Sequence, residues 1–118
     1  MVNATTEADA YLDQRYRVVV ADVLDTDSVR DAISVLDGWE GDQHAIRRTV
    51  TAPDFRTGIR IVDAVAEVAE ERNHHPDIDI RWRKVTFTLS THSAGGVTKK
   101  DIDLAQRIDA IVAGHSAA

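Results

Sequence analysis

Three histidines in two short clusters carry the chemistry on offer: Asn73-His74-His75-Pro76 and Ser90-Thr91-His92, with Glu70 on one side and Asp101 on the other. Imidazoles titrate near neutral pH and serve as general acids and bases. The 118 residues include no cysteine, so this set points first to proton transfer on a small molecule. Glu70 and His74 are spaced to share a helix face and hydrogen-bond. His75 then projects roughly 100° around the axis, or lies beyond the helix end. The same residues also spell an ordinary helix terminus, where cationic side chains meet the last carbonyls. His92 alone reads equally as a solvated histidine after a strand, and Asp101 stands where a capping box wants a carboxylate. Three imidazoles and a carboxylate are a legitimate zinc set, but adjacent histidines diverge and rarely chelate one ion. No metal is expected, and His44 and His115 are assigned no role.

The elements that must position these side chains follow in order. Asp27 caps a short helix whose stripe is Val29, Ile33 and Leu36, stopped by Gly38. Trp39 comes next, then a polar turn over Glu40 to Gln43. A strand from His44 to Thr51 follows, with Arg47 and Arg48 interrupting its alternation and one side solvated. Pro53-Asp54-Phe55 opens the main helix with Asp54 as N-cap. Ile59, Val62, Ala66 and Ala69 line its apolar face, widened by Val65 and Val68, and it ends near Asn73 or His74, before Pro76.

A hairpin comes next. Ile78, Ile80 and Trp82 alternate with polar residues, as do Val85, Phe87 and Leu89. A reversal at Arg83-Lys84 pairs Trp82 with Val85, Ile80 with Phe87 and Ile78 with Leu89, all on one face. Arg-Lys suits a type I′ turn poorly, so a longer symmetric loop is the alternative. In a regular strand His92 points with Ser90 and Thr88 to the polar face. Ala94-Gly95-Gly96 turns the chain, and Thr98-Lys99-Lys100-Asp101 is a capping box for a last helix. Its stripe is Ile102, Ala105, Ile108 and Val112, with Leu104 and Ile111 beside it, and Gly114 ends it. Helix, strands, long helix, hairpin and helix predict an α+β fold with helices on one face of an antiparallel sheet.

Composition bounds the rest. The length suits one domain with an Ile, Val, Leu and Ala core. A net charge of −6 argues against nucleic acid or an anionic membrane surface as partner. No basic stretch interleaves with aromatics, and the longest apolar run, Val18 to Ala21, is too short to cross a bilayer. Glu7, Asp9 and Asp13 sit where a signal peptide would be apolar, and the lack of cysteine fits a reducing cytoplasm. The sequon Asn3-Ala4-Thr5 is therefore read as chance. Residues 1–26 are expected to be a variable extension, strand or short helix, packing loosely or on a partner. Residues 27–114 form the domain and 115–118 a tail.

Taken together, the spaced set resembles a known family. Glu70-x3-His74-His75-Pro76, five residues, Trp82, nine residues, His92, eight residues and Asp101 is similar to the signature of the pterin-4a-carbinolamine dehydratases. Gly38-Trp39, Leu89-Ser90-Thr91-His92 and Gly95-Gly96 agree, and the resemblance covers roughly Ser28 to Val112. It implies a four-stranded antiparallel sheet with helices on one face, assembled as homodimers or homotetramers. It also implies a substrate, 4a-hydroxytetrahydrobiopterin, which aromatic amino-acid hydroxylases produce. Loss of water from C4a gives quinonoid dihydropterin for recycling, with no cofactor.

By that resemblance His74 and His92 are the acid–base pair, and His75 joins them chiefly in substrate binding. Glu70 would orient His74, and Asp101 would do the same for His92 if the glycine loop folds back. The backbone at Thr91 and Ser93 would meet the pterin's amide-like edge, Pro76 would set the chain's exit, and Trp39 would wall the pocket. Some relatives serve instead as dimerisation or assembly cofactors, which makes a non-catalytic role the alternative.

Overall fold

The structure, a computed structural model, describes residues 22–116. The extension expected over 1–26 therefore lies mostly outside the described residues, and so does the end of the tail. Helix α1 (Thr26–Ser34) is capped by Asp25, whose carboxylate accepts from the Ser28 amide. The cap falls two residues before Asp27, because Asp25 is the first carboxylate that can reach the free amides of that first turn. The Leu24 amide is already bonded to the Val97 carbonyl, so the end of the expected extension is part of the fold.

Strands β1 (Glu40–Gly41) and β2 (Ile46–Thr51) come next, then helix α2 (Phe55–Arg72), strands β3 (Asp77–Arg81) and β4 (Lys84–Leu89), and helix α3 (Lys99–Ser116). The strands form one antiparallel sheet in the order β1-β2-β4-β3. The expected polar turn over Glu40 to Gln43 contributes β1, since Glu40 pairs with Arg47 and Gly41 with Ile46. Helix α3 runs through Gly114 to Ser116; a glycine weakens a helix but does not stop it where the chain need not turn.

Alternation along the two central strands puts the core on one side. Ile46 and Val50 of β2 and Val85, Phe87 and Leu89 of β4 are at most 4% exposed. Against them pack Ile61, Val65 and Val68 of α2, and Leu104, Ala105, Ile108 and Val112 of α3. The buried stripe of α2 is therefore rotated from the expected one: Ile59 and Val62 are only partly buried and Ala66 is exposed. Arg48 keeps the alternation of β2. It sits on the inward side, where its guanidinium meets Asp109 of α3 at 2.6 Å.

The hairpin keeps its expected parity but not its register. Ile80 pairs with Val85 and Ile78 with Phe87, two residues from the expected partners. The reversal is the two-residue turn Trp82-Arg83, in which Trp82 has φ 53° and Arg83 does not share the positive angle. One positive φ at the first turn position is the pattern of a type II′ turn, which favours glycine there. Tryptophan hides that signal. Trp82 is thus 73% exposed rather than on the apolar face, with the Arg83 guanidinium 5.1 Å from its ring centroid. The Arg83 carbonyl accepts from the Ala52 amide, which ties the turn to the start of α2.

Candidate active site

Three chain segments converge on the histidines. The first is the end of α2. Asn73 takes the left-handed conformation (φ 49°, ψ 45°), and its amide turns back to the carbonyls of Ala69 and Glu70. The His74 amide bonds the Ala69 carbonyl as well, a left-handed helix stop that satisfies the last carbonyls. The helix therefore does not continue through His74, and adjacent imidazoles part company. His74 turns inward with 12% of its side chain exposed, and His75 turns outward with 54%.

The second segment follows β4. The strand ends at Leu89, and His92 begins a single 3-10 turn, His92–Ala94, closed by Gly95 at φ 80°. The regular continuation expected for His92 is not made, because Thr91 bridges back to Gly96. Gly96 permits this: a Cβ there would stand 2.7 Å from the Gln43 carbonyl oxygen. The Ser90 hydroxyl donates to the His44 carbonyl, which anchors the loop's other end.

The third is the first turn of α3, where the expected capping box forms. The Asp101 carboxylate accepts from the Thr98 amide at 2.9 Å, and the Thr98 hydroxyl accepts from the Lys100 amide at 3.2 Å. Asp101 is fully buried. Its Oδ2 also accepts from the Thr91 hydroxyl at 2.8 Å, and its Oδ1 lies 2.6 Å from His74 Nε2. Thr91 and Thr98 are themselves joined hydroxyl to hydroxyl at 2.7 Å.

Both carboxylate pairings thus differ from expectation. Asp101 serves His74, not His92, and Glu70 serves His75, with Oε2 2.6 Å from Nε2. The reason is the stop at Asn73: the Glu70–His74 pairing needs one more turn of helix, and the reversal carries His74 across to α3 instead. No side chain among the described residues hydrogen-bonds the His92 ring.

The three imidazoles border one hollow of about 350 Å³, within the range of small-molecule sites (~300–1,000 Å³). Thr91 and Ser93 line it too, as expected, and so do Asn73, Ser90 and Lys100. Of these last three, Asn73 had a signal in its place beside His74-His75. Lys100 had none, since only the packing of the first turn of α3 turns it outward as its neighbour Asp101 turns in. A second hollow of about 230 Å³ lies across His74, bordered by Arg72, Lys100 and Asp103.

Four expected binding residues do not border the main hollow. Asp101 and Glu70 stand behind imidazoles, and Pro76 leads into β3. Trp39 is a core residue, 6% exposed, and its indole Nε1 donates to Asp109 at 2.7 Å. Its apolar ring packs with the core, and Asp109 satisfies the one polar atom that burial would strand. A larger groove of about 390 Å³ beside Phe55 and Ile59 holds no imidazole. Among the described residues, no group of three or more His, Cys, Asp or Glu is gathered closely enough to hold a metal ion. Nor is any helix there long and apolar enough to cross a membrane.

Fold and hollow together define a small α+β protein with a histidine-bordered cleft at one end of its sheet. The family model described as Pterin 4 alpha carbinolamine dehydratase matches residues 22–111, and the chain belongs to that family. It is 54% identical over 90 residues to a Mycolicibacterium smegmatis protein named "Putative pterin-4-alpha-carbinolamine dehydratase", covering 76% of this chain and 96% of that one. A Nocardia farcinica protein of the same name is 53% identical over 91 residues, covering 77% and 96%. A Brucella melitensis crystal structure, titled transcriptional coactivator/pterin dehydratase, superposes with a TM-score of 0.74 at 34% identity, covering 77% of this chain and 99% of that one. A pterin dehydratase-like protein described as a RuBisCO assembly factor in the alpha-carboxysome shares the fold at TM-score 0.53 and 23% identity, covering 63% and 86%.

Proposed function

We propose that the protein is a 4a-hydroxytetrahydrobiopterin dehydratase, a hydro-lyase that works by histidine acid–base catalysis. The observation that carries this reading is the meeting of His74, His75 and His92 around one hollow, with His74 held by a buried carboxylate. The reaction asks for two proton movements. One imidazolium protonates the C4a hydroxyl, the C4a–O bond breaks and water departs. The lone pair of N5 fills the vacancy at C4a, and a neutral imidazole removes the proton from N5. Nothing is oxidised or reduced, and the residues supply what the step needs.

His74 and His92 are the acid–base pair in this reading, approaching the flat guest from different segments. Which one acts as acid depends on the face that carries the hydroxyl. His75, at the outer rim, binds the substrate, with the backbone at Thr91 and Ser93 facing the pterin's amide-like edge. A positioned general acid or base is worth roughly 100- to 10,000-fold in rate, enough for a substrate that already eliminates water unaided. His74→Ala and His92→Ala should each lower the dehydration rate by about that factor while leaving the far-ultraviolet circular dichroism unchanged. Stopped-flow assay of enzymatically generated carbinolamine makes the measurement, and wild-type rates in both variants would remove the assignment.

The same reading makes the chain a cytoplasmic recycling enzyme beside a pterin-dependent hydroxylase, acting as a homodimer or homotetramer. The working domain then starts by residue 22 and not at 27, since Leu24 and Asp25 are built into the fold, and the residues before it are a variable extension suited to a partner. The alternative is a non-catalytic dimerisation or assembly role; one solved relative is described as a transcriptional coactivator/pterin dehydratase and the other as a RuBisCO assembly factor. An unaltered dehydration rate at full occupancy by this protein would favour it.

A further inference from the structure

We propose that the Thr91 hydroxyl, aimed by Thr98, is a positioning group: through Asp101 it holds His74 in the Nε2–H form and so makes Nδ1 the nitrogen that meets the substrate. The argument is a count of protons. Thr91 and Thr98 are 4% and 0% exposed, so their hydroxyl directions are set by protein partners and not by bulk water. Thr91 Oγ1 lies 2.8 Å from Asp101 Oδ2, and an ionised carboxylate only accepts. The Thr91 proton is therefore spent on Asp101. The 2.7 Å contact between the two hydroxyls must then be made by the Thr98 proton. The Thr98 oxygen in turn accepts from the Lys100 amide. Every proton of this chain points toward Asp101, and none points away.

Oδ2 of Asp101 thus receives two donors, the Thr91 hydroxyl and the Thr98 amide. Two donors complement a carboxylate, and charge-assisted bonds of this kind are the strong ones. Oδ1 is left for His74, and the proton in the 2.6 Å contact belongs to the imidazole. When the ring carries one proton, it sits on Nε2. Nδ1, which has no hydrogen-bond partner among the described residues, is then the nitrogen left to accept, in a ring that borders the hollow. The other charged groups near this ring, Arg72, Lys100 and Asp103, border the second hollow and do not bond it. Without the Thr91 hydroxyl, Oδ2 keeps one donor, the carboxylate is less firmly held, and the ring is free to carry its proton on Nδ1. That places a donor where the reaction needs an acceptor.

The kinetic part of this inference rests on the dehydratase reading, whereas the proton's position does not. The test is nitrogen-15 NMR of the histidine rings at a pH where they carry one proton, on wild type, Thr91→Val, Thr98→Val and Thr91→Ser. Wild type should show His74 with its proton on Nε2. Thr91→Val should show a growing Nδ1–H fraction, Thr98→Val a smaller one, and Thr91→Ser a return to the wild-type pattern. In the dehydration assay Thr91→Val should lose about 10- to 100-fold in kcat, the loss of one bond to a charged acceptor, with KM changed by less than about threefold and Thr91→Ser restored. A wild-type ring protonated on Nδ1, or a Thr91→Val spectrum identical to wild type, overturns the proposal whatever the kinetics. An unfolded Thr91→Val leaves the wild-type and Thr98→Val spectra to decide it. Correct spectra without any dehydration by the wild type would retain the positioning role and remove the dehydratase reading instead.

Discussion

At the scale of single residues, two carboxylates that look alike in the sequence have opposite situations. Asp101 has no exposed surface and three donors, while Glu70 is 77% exposed and meets a His75 that is itself 54% exposed. A solvent-screened pair of the second kind contributes ~0–1 kcal/mol, whereas removing a charged acceptor from buried donors costs ~1–3 kcal/mol or more. Asp101→Asn should therefore lower the denaturant midpoint clearly and slow dehydration at least tenfold, while Glu70→Gln should leave the midpoint nearly unchanged. Equal midpoints for the two variants would contradict the geometry. The sequence named both carboxylates as partners of imidazoles but gave each the wrong imidazole. Asn73 is the cause, because a non-glycine residue at positive φ cannot be read from its neighbours.

At the scale of elements, the starts of α1 and α2 are held by exposed aspartates whose carboxyls are drawn below their ordinary value. For Asp54 the Thr57 side chain and then its amide lower it, and for Asp25 the Ser28 amide and then its side chain do so. Asp42 is lowered by the His44 amide in the loop before β2. A carboxyl lowered on folding stabilises the native state fully above its unfolded value, near 3.8, and loses that contribution as pH falls through the folded value. Acid should thus weaken the caps together below about pH 4. Asparagine caps nearly as well without titrating, so Asp54→Asn should match wild type in Tm near pH 7 and fall less steeply between pH 4 and 2.5. A parallel fall would show that Asp54 adds nothing to the acid transition. The cap at Asp54 and the capping box at Thr98 were legible because each needs only contiguous residues. The hairpin register was not, since Trp82 occupies a turn position that glycine ordinarily marks.

At the scale of the whole molecule, β3 is the edge of the sheet, and its outer side pairs with no strand among the described residues. Ile80 is 40% exposed there and Trp82, in the adjoining turn, 73%, and an unpaired strand edge is a template for pairing with another chain. The homo-oligomer proposed from the resemblance would close this edge. Sedimentation should then find a species heavier than one chain, and Ile80→Lys should shift it toward monomer; a monomeric wild type would refute the assembly. The amino-acid order by itself determined the α+β class, the main helix and its cap, the face shared by the hairpin strands, and the set of chemistry-bearing residues. Each of these depends on periodicity or on neighbours a few residues apart. Tertiary structure alone decided that His74 leaves α2 to meet Asp101, that Trp39 is spent on Asp109, and that Lys100 borders the hollow. Those outcomes depend on where a left-handed residue and a close glycine contact send the backbone, and on which groups from distant segments then meet, which no local pattern records.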